Sequence, residues 1–176
     1  FSKMLRTLLL GLFSLSCNLN SYAQNISAGI RFQKAIGFYW ENGISVEISD
    51  SSILKDRLIF GCNYVSSRFG TAINSNAIKQ DQIFASFSYK WRSNKIFQPI
   101  TKINIGYFKA DYEIEIFDVL PNSSLLISPE LGIKINYAKK ISYKLSLGYN
   151  IINGNGIKNP GTLYPVFYQN TLLWNF

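Results

Sequence analysis

Ile141-Ser-Tyr143-Lys-Leu145-Ser-Leu147-Gly-Tyr149 carries an apolar side chain at every odd position, with Ser142, Lys144, Ser146 and Gly148 between them. Successive side chains of a β-strand point to opposite faces, so this stretch is a strand with one apolar and one polar side. The same period-two alternation predicts about eight strands, near 25–33, 43–49, 56–66, 81–92, 99–108, 125–137, 141–150 and 163–176. Helical periodicity with caps is hard to find after residue 25. No stretch reaches the roughly 20 apolar residues of a transmembrane helix.

The connections add a second signal. Those at 50–55, 93–95 and 138–140 are short, whereas those near 34–42, 67–80, 109–124 and 151–162 are long and hold Gly, Asn and Pro. Long–short alternation over an even number of antiparallel strands predicts an all-β fold, an eight-stranded up-and-down transmembrane β-barrel with both termini in the periplasm.

A soluble ligand-binding barrel alternates too, with its apolar side inward. Three observations favour apolar side out. The polar face holds Ser, Gly, Asn and Gln with few charges, unlike a water-facing exterior. The apolar face ends in aromatics where a lipid interface would fall: Phe32, Tyr64, Tyr107 and Tyr149 close the four upward strands, and Tyr89 with Trp91 and Trp174 with Phe176 close two downward ones. The chain also stops at Phe176, on an alternating apolar strand.

Residues 1–23 read as an export signal, with Lys3 and Arg6 before the apolar run Leu8-Leu9-Leu10-Gly11-Leu12-Phe13 and the small-residue site Ser21-Tyr22-Ala23, so cleavage is expected before Gln24. Met4 is a candidate initiator, and Phe1 to Lys3 then precede translation proper. Cys17 is a weak lipidation candidate, because Ser14 stands three before it where a leucine is expected. The barrel is then 24–176, with 16 cations against 10 anions, or +6. Only Cys62 remains, so no internal disulfide can form; it falls on the lipid-facing row, where it reads as a small apolar residue. The lysines are scattered, with no run longer than Lys139-Lys140, which argues against nucleic-acid binding.

The last strand, with Tyr164, Val166, Tyr168, Leu172, Trp174 and the terminal Phe176 on alternate positions, resembles the C-terminal signal that bacterial outer-membrane barrels show to their insertion machinery. Asn170 departs from that row. With the export signal, the chain resembles the small eight-stranded outer-membrane β-barrel proteins of Bacteroidota-type bacteria, similar in build to OmpA and OmpX barrels. The resemblance implies outer-membrane lipid and the insertion machinery as partners, a cell-envelope location, and no particular activity.

On this register Gly29, Gly61, Gly106, Gly132 and Gly148 face inward, as a barrel barely wide enough for its own side chains requires. Arg31, Glu47, Lys90, Lys102, Glu130, Lys134 and Lys144 also face inward; two carboxylates among five cations predict a lumen ion network, since unpaired charges there are costly. A narrow passive channel is the alternative use of those cations.

Histidine is absent, which removes the usual general base, and the outer-membrane barrel hydrolases, acyltransferases and proteases rest on one. Asp111, Glu113, Glu115 and Asp118 form an acidic stripe alternating with Ile114 and Ile116, which a solvated loop face explains. Gly154-Asn155-Gly156 is a turn, so neither an enzyme activity nor a cofactor or metal is expected. Alternation persists from Lys109 to Asp118, so the hairpin around Val119-Leu120-Pro121 is expected to project as a ribbon. Phe38, Tyr39 and Trp40 of the first loop, with Asp111, Tyr112, Glu113, Glu115 and Phe117 of this ribbon, are the candidate contacts for another envelope protein or a surface ligand. A structural or interaction role through the outer loops is the functional expectation.

Overall fold

The alternation translates directly into strands: β1 Gln24–Ala35, β2 Trp40–Asp50, β3 Leu58–Phe69, β4 Ile78–Lys90, β5 Phe97–Tyr112, β6 Ser123–Ala138, β7 Ile141–Tyr149 and β8 Val166–Asn175. Ile151–Ile152 pairs with Leu126 and Ile127 in the register that also sets Gly148 against Glu130, so it continues β7 past Asn150. The computed structural model describes residues 24–35, 40–50, 54–69, 78–92, 96–112, 122–138, 140–152 and 165–176; the export signal expected at 1–23 lies outside them.

Every strand pairs antiparallel with its sequence neighbours, and β8 pairs with β1, which closes the sheet. Closure leaves no sheet edge to present unpaired N–H and C=O groups, a condition for a sheet in hydrocarbon. The stagger follows from the register. From Ile135 on β6 the partners run through Tyr143, Leu172, Ile30, Ile44, Tyr64, Ile83 and Tyr107, and return to β6 at Leu125, ten residues from the start. Ten residues of stagger over eight strands correspond to a strand tilt of roughly 40–45° and an interior filled by side chains. All nine residues of that circuit sit on the outward, apolar face.

The burial pattern settles which way the faces point. In β6 it alternates from Ser123 to Glu130, with Ser124, Leu126, Ser128 and Glu130 buried and Leu125, Ile127 and Leu131 exposed. In β7, Ser142, Lys144 and Ser146 are buried whereas Leu145, Leu147 and Tyr149 are exposed. An apolar exterior around a largely polar interior inverts a soluble barrel, and the reading as a secreted ligand-binding barrel does not fit it.

The strands reach further toward the long-loop end than the alternation alone predicts. β2 starts at Trp40 instead of 43 and β4 at Ile78 instead of 81, while β5 runs past 108 to Tyr112, along the alternation that continues from Lys109. The outward positions there are polar, as at Asn42, Lys79 and Asp81, so the hydropathy signal fades although the pairing continues. β5 and β6, at 16 residues each, are the longest strands described. At the opposite, short-turn end, Leu54, Lys55 and Asp56 all adopt positive φ, of 48°, 57° and 61°. A left-handed non-glycine residue costs roughly 1–2 kcal/mol, so this turn is held by what surrounds it.

Candidate functional site: the barrel interior

Because each strand turns alternate residues inward, the lumen is assembled one side chain at a time from all eight strands. All seven residues expected there face the interior. Glu130 of β6 is the hub of one group: its Oε1 lies 3.5 Å from both Arg31 Nη2 and Lys102 Nζ, and it accepts hydrogen bonds from Asn104 and, at 2.7 Å, from Ser146 Oγ. Arg31 also donates to Gln33 Oε1 at 2.6 Å and stacks its guanidinium 4.7 Å from the Phe84 ring centroid. Glu47 of β2 pairs with Lys144 of β7 in a second group across the barrel.

The remaining two lysines stand apart from these groups. Lys90 pairs with Asp56 of the left-handed turn at 2.7 Å, and its own backbone N–H bonds Arg57 O at 2.8 Å, which anchors the turn to the end of β4. Lys134 makes no ion pair among the described residues and lies directly opposite Lys144 across the β6–β7 ladder.

Several interior residues escaped the sequence reading. Glu41 is buried at the long-loop end, accepting hydrogen bonds from Gln33 Nε2 at 2.6 Å and Gln82 Nε2 at 3.4 Å. Its parity matches Glu47, and only the late predicted start of β2 concealed it. With Glu41 and Asp56 there are four carboxylates along the interior axis among the described residues, not two. A polar interior was also too simple a description. Val65, Phe84, Phe108, Ala110 and Leu126 point inward and pack as a buried apolar cluster, none more than 6% exposed. Phe167 of β8 is buried apart from that cluster, 1% exposed, and a β-carbon at Gly148 would lie 2.3 Å from its ring. The cluster lies on the loop side of the Glu130 hub: along β4, Phe84 precedes Ser86 and Ser88, and along β6, Leu126 precedes Glu130. At the long-loop end this apolar cluster shares the lumen with Glu41, Gln33 and Gln82, whereas the Glu130 and Glu47 groups lie nearer the short turns.

On the outer surface, Phe32, Tyr64, Tyr107, Tyr149, Trp91, Trp174 and Phe176 are exposed, and Tyr89, partly exposed, meets Trp91 edge-on at 5.7 Å. Trp40 opens β2 on the outward face, edge-on to Tyr168 at 5.7 Å and beneath Lys34 Nζ at 5.3 Å, so it belongs to the barrel wall and not to the first loop. Asn170, the polar departure in the outward row of β8, accepts a hydrogen bond from the Tyr143 hydroxyl of β7. Cys62 is exposed on the same outer face. Asp111 ends β5 exposed and the backbone of Tyr112 closes that strand; Phe38, Tyr39, Glu113, Glu115 and Phe117 lie outside the described residues.

No protein-family model matches the chain, and no curated protein matches it by sequence. Solved structures do. The N-terminal β-barrel domain of Pseudomonas aeruginosa OprF aligns with a TM-score of 0.59 at 9% identity over 86% of this chain and 97% of that one. Outer membrane protein H (OprH) of P. aeruginosa aligns at 0.60 with 12% identity over 88% and 100%. The outer membrane protein OprG from the same organism gives 0.51 with 13% identity over 87% and 95%. Side-chain direction, closed register and these likenesses agree on the architecture: the chain has the eight-stranded outer-membrane β-barrel fold.

Proposed function

We propose that this chain is a closed outer-membrane anchor, of the kind found in Bacteroidota-type bacteria, whose barrel presents the long loops to another envelope protein or a surface ligand. The observation that carries this reading is the occluded interior. An ion passing along the axis would have to cross the apolar cluster of Val65, Phe84, Phe108 and Leu126 and then the Arg31–Glu130–Lys102 group, all buried. Bare ions avoid the first barrier because desolvation is costly there, and the second is made of buried side chains already engaged with one another. The short-turn end and both termini face the periplasm in this proposal, as short turns do in such barrels. The C-terminal strand engages the insertion machinery, lipid covers the outward face, and neither catalysis nor nucleic-acid binding belongs to the role.

The length of β5 and β6 supports the loop side of the proposal. The β5–β6 ladder runs past the outward pair of Tyr107 and Leu125 to Lys109 and Ser123, with the Ala110 N–H donating to Asn122 O, and β5 continues against β4 to Tyr112, so paired backbone supports the third long loop. Two experiments test the reading. Planar-bilayer recordings of the refolded protein are expected to show no unitary conductance steps; steady steps would favour the narrow channel. Deleting residues 111–119 is expected to leave the folded barrel intact and to remove its co-purifying envelope partner; unchanged partners would refute the loop role.

A further inference from the structure

A cavity of about 520 Å³ opens at the short-turn end of the lumen, lined among others by Ser27, Ser49, Asp56, Lys90, Lys134 and Asn136. Its charge is unbalanced. Lys90 has Asp56, and Lys144 above has Glu47, but Lys134 has no carboxylate partner among the described residues and faces Lys144 across the ladder. Like charges placed directly opposite one another on a sheet destabilise it, which a counter-charge between them would relieve. The surrounding rim has the same sign: Lys55, Arg57, Arg92 and Lys140 are exposed there, against Asp50 and the already engaged Asp56. A concave site with low-dielectric walls and an excess of one charge concentrates ions of the other.

We propose that this vestibule is a binding site for a small oxyanion group, a phosphate or a carboxylate, with Lys134 as its charge anchor and the Ser49 hydroxyl and Asn136 amide as neutral donors. The rigid turn at Leu54 to Asp56 serves the site. Its left-handed backbone holds Asp56 on Lys90, which occupies that ammonium and leaves Lys134 as the cation open to a ligand. The interior above the cavity is filled by the Glu47–Lys144 and Glu130 groups, so the ligand enters and leaves by the same mouth and is not transported.

The test uses the folded protein in zwitterionic detergent micelles, titrated with inorganic phosphate at constant ionic strength and followed by NMR of the backbone amides of Ser49, Asn136 and Tyr137. Saturable shifts confined to this mouth are expected, with at least a tenfold loss of affinity in Lys134→Gln and no change in Lys109→Gln at the far end of the barrel. Acetate in place of phosphate separates the sources: saturation by acetate alone assigns the site to a carboxylate, and by phosphate alone to a phosphate. Shifts that rise linearly with concentration, or that are equal in Lys134→Gln and the unaltered protein, would overturn the proposal. Heat-modifiable migration of each variant on a gel establishes that Lys134→Gln is folded before its affinity is judged.

Discussion

Glu130 carries more of the interior than any other single side chain. Its side chain is fully buried, and it is shared by two cations, an amide and a hydroxyl drawn from three other strands. Removing one partner of a buried ionic group leaves the others uncompensated, which costs about 3–5 kcal/mol. Glu130→Gln keeps the volume of the side chain but strands Arg31 and Lys102, and is expected to destabilise the barrel by that amount in urea unfolding followed by tryptophan fluorescence. Glu41→Gln is expected to cost less, because Glu41 meets the amides of Gln33 and Gln82 and makes no ion pair among the described residues. Asp81, above Tyr64 on the outer rim, behaves differently. Partial burial pushes its carboxyl up, but hydrogen bonds from Ser66, Tyr64 and Arg68 and the Arg68 charge pull it further down, below the usual carboxylate value. A carboxyl depressed in the folded state stabilises the fold above its unfolded value and loses that contribution as pH falls through the folded value. The pair is more than a third exposed, so the effect is at most about 1 kcal/mol. The stability gap between the unaltered protein and Asp81→Asn is accordingly expected at pH 7 and should narrow as pH falls below the usual carboxylate range; a gap that stays constant through that fall would assign the loss to packing instead.

At the scale of the elements, the proposed engagement of the C-terminal strand by insertion machinery would rest on residues other than those that hold the barrel together. Its interior-facing residues Phe167, Gln169, Thr171 and Leu173 are all buried, and Leu173 is wholly so. Phe176, just past the strand, is 77% exposed and contributes a backbone N–H to Ile26 O at 2.9 Å. Deleting Phe176 is therefore expected to change refolding yield in detergent little while sharply reducing the amount assembled in the outer membrane of cells; equal losses in both assays would make the residue structural. The strands themselves were legible in the sequence because each lies between two unlike environments, lipid outside and packed polar groups inside, and Ile141 to Tyr149 writes that difference at every position. Two kinds of element were not. The loop-end turns of β2 and β4 are paired by backbone groups, which carry no hydropathy signal, and this hid Glu41. The left-handed turn at Leu54, Lys55 and Asp56 contains no glycine to announce it, and its role emerges only when Asp56 meets Lys90 from β4. The apolar cluster escaped for a third reason: Val65, Phe84, Phe108 and Leu126 each follow an outward apolar residue, Tyr64, Ile83, Tyr107 and Leu125, so they read as an interruption of the pattern and not as a plug.

For the whole molecule, closure is the property from which the others follow. A barrel has no free edge only while β1 and β8 remain paired, and these strands come from the two ends of the described chain, so the seam joins residues about as far apart in sequence as the fold allows. Such contacts are the most costly in chain entropy to form. Among the described glycines, the tightest contact lies at the seam: a β-carbon at Gly29 would lie 1.8 Å from the Leu172 carbonyl oxygen, a group that cannot move without breaking the ladder. At Gly148, on the neighbouring strand, the obstruction is the Phe167 ring and the Glu130 stem, side chains that can shift at the cost of overpacking the interior. Overpacking a filled interior costs roughly 1–3 kcal/mol, and a collision with fixed backbone falls at or beyond the upper part of that range. Gly29→Ala is thus expected to lower the temperature at which the compact gel species converts to the slower unfolded one, and to do so by more than Gly148→Ala. If Gly148→Ala were the more damaging, the packing of the plug and not closure of the seam would limit the stability of the barrel.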